Sequence, residues 1–160
     1  MVKVKLELYE YGGIELHIGD FVAIGSYMTS LPYEWLESIR FSLQNRLPLC
    51  LELDEEGSNV WIFSNGDVII IDDRGLDEDY HYTLVKDLDY RNFVWMLLKE
   101  IMKEDIFQRF VRWEFIPERF TEEVLQIREC ELKSLIQDCK EALKELTKND
   151  VRWRGVKLFD

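Results

Sequence analysis

Val60-Trp61-Ile62-Phe63-Ser64-Asn65-Gly66-Asp67-Val68-Ile69-Ile70-Ile71 is the stretch that decides the fold. Two apolar runs flank Ser64-Asn65-Gly66, and Asn-Gly is the dipeptide that best supplies the positive-φ positions of a tight turn between antiparallel strands. The spacing predicts a hairpin in which Val60 and Ile62 share one face and Trp61 and Phe63 the other. Val68 to Ile71 is apolar on both faces. That predicts a central strand covered on both sides, or by helices on one side and the first hairpin on the other.

Upstream, Leu49, Leu51 and Leu53 alternate with Cys50, Glu52 and Asp54, a further strand ending in Glu55, Glu56 and Gly57. Ser30 and Pro32 open a helix whose Leu36, Ile39, Leu43 and Leu47 recur at helical spacing until Pro48 closes it. At the start, Val2, Val4, Leu6 and Leu8 alternate with Lys3, Lys5 and Glu7, and Ile14, Leu16 and Ile18 alternate with Glu15 and His17 across Gly12-Gly13. These segments predict a first hairpin, with Phe21 to Ile24 as a short third strand.

Downstream of an acidic loop over Asp72 to Asp79, Tyr82 to Val85 is expected to form a last strand. Asp87 or Asp89 then caps a helix with Phe93, Val94, Leu97, Leu98 and Ile101 on its apolar face, and Asp105 starts a shorter one through Phe107, Phe110 and Val111. Thr121 caps the longest. Leu125, Leu132, Cys139 and Leu146 fall seven apart, with Leu135 and Ala142 as a second seam that Arg128 interrupts. Such a helix packs on its own domain or on a partner helix. The expected class is therefore α+β: a mainly antiparallel sheet of about five to six strands, an amphipathic helix inserted after the first hairpin, and a helical C-terminal third. A single domain over 1–160 is expected, with 1–85 the sheet-rich acidic half and 86–160 the helical part.

The chain has 160 residues, 47% of them apolar and 13% aromatic, enough for a core without disulfides or structural metal. No apolar run approaches the roughly 20 residues that span a bilayer, and Met1 to Lys5 alternates charge where a secretion signal would be apolar. A soluble cytoplasmic protein, monomeric or weakly dimeric, with no cofactor, is the expectation. The net charge of −12 excludes a simple nucleic-acid binder, which needs a surplus of Lys and Arg. Nearly all of that charge is in one half: residues 1–80 carry sixteen acids against five bases, and 81–160 sixteen against fifteen. Asp54, Glu55, Glu56, Asp67, Asp72, Asp73, Asp77, Glu78 and Asp79 are accompanied by one base, Arg74.

Motifs of chemistry are scarce. Neither Gly-x-Gly-x-x-Gly nor a P-loop ending occurs, and there is no Gly-x-Ser-x-Gly elbow. His17 reads as a residue on the wet face of a strand, and His81, beside Asp79, as a loop histidine. Cys50, Cys130 and Cys139 lack metal-ligand spacing and read as small apolar packing residues. Glu52, Asp54, Asp72 and Asp73 offer the one arrangement able to suit a metal-dependent hydrolase, by approaching one another across the sheet. Glu131 and Lys133 fit Glu-x-Lys, but on a helix with Leu132 in its core seam. The remaining feature is aromatic: Trp61 and Phe63 lead into the acidic hairpin and Tyr80 and Tyr82 flank His81. Aromatic anchors rimmed by carboxylates suit a surface for a basic protein partner, although for Trp61 a second core layer under the C-terminal helices fits equally well.

The order of elements over about 1–103, with the acid-rich strand end Glu52 to Gly57 and the helix entry Asp89-Tyr90-Arg91-Asn92-Phe93-Val94, resembles small bacterial immunity proteins of polymorphic toxin systems. The resemblance implies a non-enzymatic toxin inhibitor and assigns no site residues. It agrees with the electrostatics, since toxin nucleases that bind phosphate backbones are basic and an acidic inhibitor associates with them quickly. On that reading the partner-binding residues are Asp54, Glu55, Glu56, Trp61, Asp72, Asp73, Asp77, Glu78 and Asp79. Reversing Asp72 and Asp73 to Lys is then expected to slow association and spare the fold, because their loop is taken to be solvated. A type III secretion-type chaperone, binding an effector segment through the long helix or an apolar groove, is the alternative from another class.

Overall fold

Alternating apolar residues, Gly-containing turns and four amphipathic segments resolve, among the described residues, into seven strands and four helices. The computed structural model describes residues 2–9, 13–74, 80–113 and 120–148. The strands are β1 (Val4–Leu8), β2 (Ile14–Ile18), β3 (Phe21–Gly25), β4 (Leu49–Asp54), β5 (Asn59–Ser64), β6 (Asp67–Asp72) and β7 (His81–Asp89). The helices are α1 (Leu31–Asn45), α2 (Tyr90–Ile101), α3 (Glu104–Val111) and α4 (Glu122–Lys148). The class is α+β with a helical C-terminal part, as the sequence indicates.

The sheet differs from the expectation. There are two antiparallel sheets, one of three strands in the order β1-β2-β3 and one of four in the order β4-β5-β6-β7. The helix α1 follows β3 and stands between the two sheets, instead of being inserted after a first hairpin. The reason lies at the junction. The edge of β3 is occupied by side chains: Ile24 N–H donates to Glu55 Oε1 at 2.7 Å and Val22 O accepts from Arg74 at 2.8 Å, so β4 starts a new sheet.

Each sheet buries one face. Leu6, Ile14, Leu16 and Ile18 of the smaller sheet and Leu49, Leu51, Leu53, Val60, Ile62, Val68 and Ile70 of the larger one belong to one apolar core, with Trp35, Leu36 and Ile39 of α1 and Phe93, Val94 and Leu97 of α2. Val68 and Ile70 are buried while Ile69 and Ile71 are half-buried, so β6 is interior to its sheet yet covered on one face only, contrary to the two-sided coverage its composition predicts.

Ser30 is the N-cap of α1, through its carbonyl, which accepts from Tyr33 N–H and Glu34 N–H, with no side-chain bond. Asp89, not Asp87, caps α2, accepting from Asn92 N–H at 2.8 Å. Asp87 instead has φ 63° within a register shift that lets β7 run on from the predicted Tyr82–Val85 to Asp89. Thr121 Oγ1 accepts from Val124 N–H at the start of α4, as its position suggests.

The α4 helix packs on α1, α2 and α3 through Leu132, Ile136, Cys139, Leu143 and Leu146. Its second seam is therefore Ile136 and Leu143, with Leu135 and Ala142 at the margins, because a straight helix drifts away from a strict seven-residue repeat. Arg128, read as an interruption, joins elements instead: its guanidinium donates to Val111 O and Trp113 O at 2.8 and 2.9 Å, satisfying carbonyls at the end of α3.

Candidate functional site

Strand register builds a second apolar surface opposite the core. Pairing of β4 with β5, β5 with β6 and β6 with β7 aligns Glu52, Trp61, Ile71 and Tyr82 in one row and Cys50, Phe63, Ile69 and Leu84 in the next. All eight lie on the face turned away from the helices. Exposure rises towards the edge: Trp61, Phe63, Ile69 and Ile71 are half-buried, whereas Tyr82 is 71% and Leu84 53% exposed. Tyr80 lies beside Trp61 with ring centroids 6.0 Å apart and tilted by 57°. Of the two readings open for Trp61, the geometry gives the surface one, since α1 and α2 cover the opposite face.

The carboxylates gather at one end of this face, where they hold the two sheets together. Arg74 donates to Asp72 from Nε at 2.9 Å and from a terminal nitrogen at 2.7 Å, reaches Val22 O and Glu55 Oε1 on the other side, and lies 4.8 Å over the Phe21 ring. This guanidinium holds the Asp72 carboxyl below the usual carboxylate range. Asp73 Oδ1 accepts from Asn59 N–H, Asp54 Oδ1 from Glu56 N–H, and Glu56 Oε1 from Ser26 Oγ. Glu55 and Glu56 also line a cavity of about 300 Å³ with Tyr9, Gly13, Ile24, Ser26 and Tyr27. The segment taken to be a solvated loop is thus partly a structural joint, and reversing Asp72 would break its pairing with Arg74.

Of the residues assigned to partner binding from sequence, Trp61 is on the apolar face and Asp54, Glu55, Glu56, Asp72 and Asp73 are at its end; Asp77, Glu78 and Asp79 lie outside the described residues. Ile69, Ile71 and Leu84 were missed. The signal for the first two was the two-sided apolar run of β6, which reads equally well as burial on both sides.

Glu52, Asp54, Asp72 and Asp73 do not converge. Among the described residues, the trio of metal-capable side chains with ligand atoms within 4.8 Å of one another is Glu7, Glu15 and His17, on the smaller sheet. There His17 Nε2 lies 3.1 Å from Glu15 and 3.4 Å from Glu7. The cysteines also depart from the expectation of small packing residues. Cys139 is buried, its Sγ donating to Leu36 O and its pKa pushed up to about 12 chiefly by burial, but Cys50 and Cys130 are exposed.

No family model, curated protein or solved structure matches this chain. Among the described residues, no helix is long and apolar enough to cross a membrane.

Proposed function

We propose that this chain is a protein-binding module of the immunity type, which neutralises a basic toxin by covering it with the outer face of the β4–β7 sheet. The observation that carries the reading is that face: Trp61, Phe63, Ile69, Ile71, Tyr82 and Leu84 form a continuous apolar surface on a segment, 49–89, with twelve acids against two bases, Arg74 and Lys86. Contiguous apolar side chains left to water mark interaction sites, and aromatic anchors within a charged rim supply affinity and fast, selective encounter respectively. The chaperone reading loses one of its two supports, because the α4 seam is packed inside the fold; it retains the exposed apolar face, and the acidic charge around that face favours a basic toxin as the occupant.

The test is co-expression with a basic toxin encoded beside the gene, scored by cell survival. The double variant Trp61→Ala, Tyr82→Ala, folded by circular dichroism, is expected to lose protection, and Glu15→Ala on the other sheet to keep it. Full protection by the double variant would overturn the reading.

A further inference from the structure

The two sheets have four edges, and three are closed by bonds from elsewhere in the chain. At β1, Leu6 N–H donates to Glu100 Oε2 of α2 at 3.0 Å. At β3, Glu55 and Arg74 take the Ile24 N–H and the Val22 carbonyl. At β4, Glu52 O accepts from Trp35 Nε1 at 3.0 Å and Asp54 O from Ser26 N–H at 3.1 Å. The outer edge of β7 is different. Among the described residues, no bond other than those of the β6 ladder reaches the backbone of His81–Lys86. An edge strand with free N–H and C=O groups is a template for another strand, and proteins ordinarily blunt such edges, as this one does at the other three.

We propose that the β7 edge receives an extended, basic segment of the partner as a fifth strand of the larger sheet; this rests on the protein-binding reading above and specifies how the partner engages. Main-chain bonds would provide affinity, and alternate side chains of the added strand would fall beside Tyr82 and Leu84, extending both rows of the apolar face. The regular ladder from His81 to Val85 sets the length. Beyond it, the positive φ of Asp87 and the register shift turn the edge away, so about five or six residues of the partner can pair. The occupant is basic by charge complementarity: the stretch of chain that supplies this sheet, 49–89, carries twelve acids against two bases. A second copy fits poorly, because it would bring another net −12 against the same acidic surface.

The experiment uses the full chain and four capped octapeptides: alternating Lys-Val, alternating Glu-Val, and two Lys-Val peptides with N-methyl groups on alternate residues, one in each phase. Binding is followed by titration and by residue-resolved amide exchange. The Lys-Val peptide is expected to bind and to slow exchange across His81–Val85, the Glu-Val peptide not to bind, and one N-methylated phase, the one that blocks the donating N–H groups, to bind about tenfold more weakly than the other or worse. Three results would overturn the proposal: no Lys-Val binding up to millimolar concentration, equal binding of both N-methylated phases, or protection of β7 that grows with the concentration of the free chain alone, which would show self-pairing. None of these affects the survival assay of the Trp61, Tyr82 double variant, so the edge can fail while the face stands, and the reverse.

Discussion

On the three-stranded sheet the outward positions of β1 and β2 are Lys5, Glu7, Glu15 and His17; on the four-stranded sheet the outward positions of β5 and β6 are Trp61, Phe63, Ile69 and Ile71. The inner faces are alike, with Leu16 and Ile62 both fully buried. The first sheet meets water in the usual way, even setting Glu7 directly opposite Glu15, with Lys5 paired to Glu7 and His17 at hydrogen-bonding distance from Glu15. The second keeps an apolar layer where nothing in the core requires one. Alternation is therefore a reliable sign of a wet face, whereas its absence does not establish a second covering layer.

The largest effects should come from what the sheets share. Ile62→Ala, between Trp61 and Phe63 but facing inward, is expected to cost about 2–5 kcal/mol in urea unfolding, with Leu132→Ala of α4 in the same range. Trp61→Ala should cost much less while removing partner binding. Equal losses at 61 and 62 would mean that both faces of β5 serve the fold, and the contrast between the sheets would collapse.

Arg74→Ala tests the joint between them. With the guanidinium gone, Glu55 and Asp72 lose a charged partner, for an expected loss of about 1–3 kcal/mol at neutral pH, kept modest by partial exposure of the group. The pairing lowers the Asp72 pKa in the folded state, so its contribution is complete above the ordinary carboxylate range and is lost as pH falls through the depressed value. The stability gap between wild type and Arg74→Ala should therefore narrow in acid, as measured by urea titrations at neutral and low pH. A gap independent of pH would show that Arg74 acts through packing on Phe21.

The smallest effect is expected on the smaller sheet. Glu15→Ala and His17→Ala should each change stability by no more than about 0.5 kcal/mol and leave partner protection intact. Lost protection there would move the candidate surface from one sheet to the other.

Most of the local structure was legible in the residues. Asn65-Gly66 marks the β5–β6 turn, where Gly66 takes φ 132°, and period-two runs place β1, β2 and β4. The pairing of β3 was not legible, because whether a strand edge meets another strand or a carboxylate is decided by residues far along the chain, here Glu55 and Arg74. Arg74 did leave a trace as the lone base among nine acids over 54–79, a pattern that favours multiple pairing of one guanidinium over a solvated charge run. Lys86-Asp87 looked like the end of a strand, since a positive φ at Asp87 cannot be read from its neighbours. For the candidate site, Trp61 and Tyr82 were visible as aromatics, but their junction through Ile71 depended on register.

The bonds that close the fold link distant parts of the sequence: Leu6 to Glu100 across 94 residues, Tyr33 to Glu131 across 98, and Cys139 to Leu36 across 103. Folding therefore includes the closure of large loops whose ends must meet, a step with an entropic cost that the local hairpins do not carry. During synthesis the β5–β6 hairpin can form as soon as it leaves the ribosome, but the flank of α1 stays uncovered until Leu132 to Leu143 emerge. The nascent chain therefore carries two exposed apolar surfaces, and only completion of α4 removes one of them.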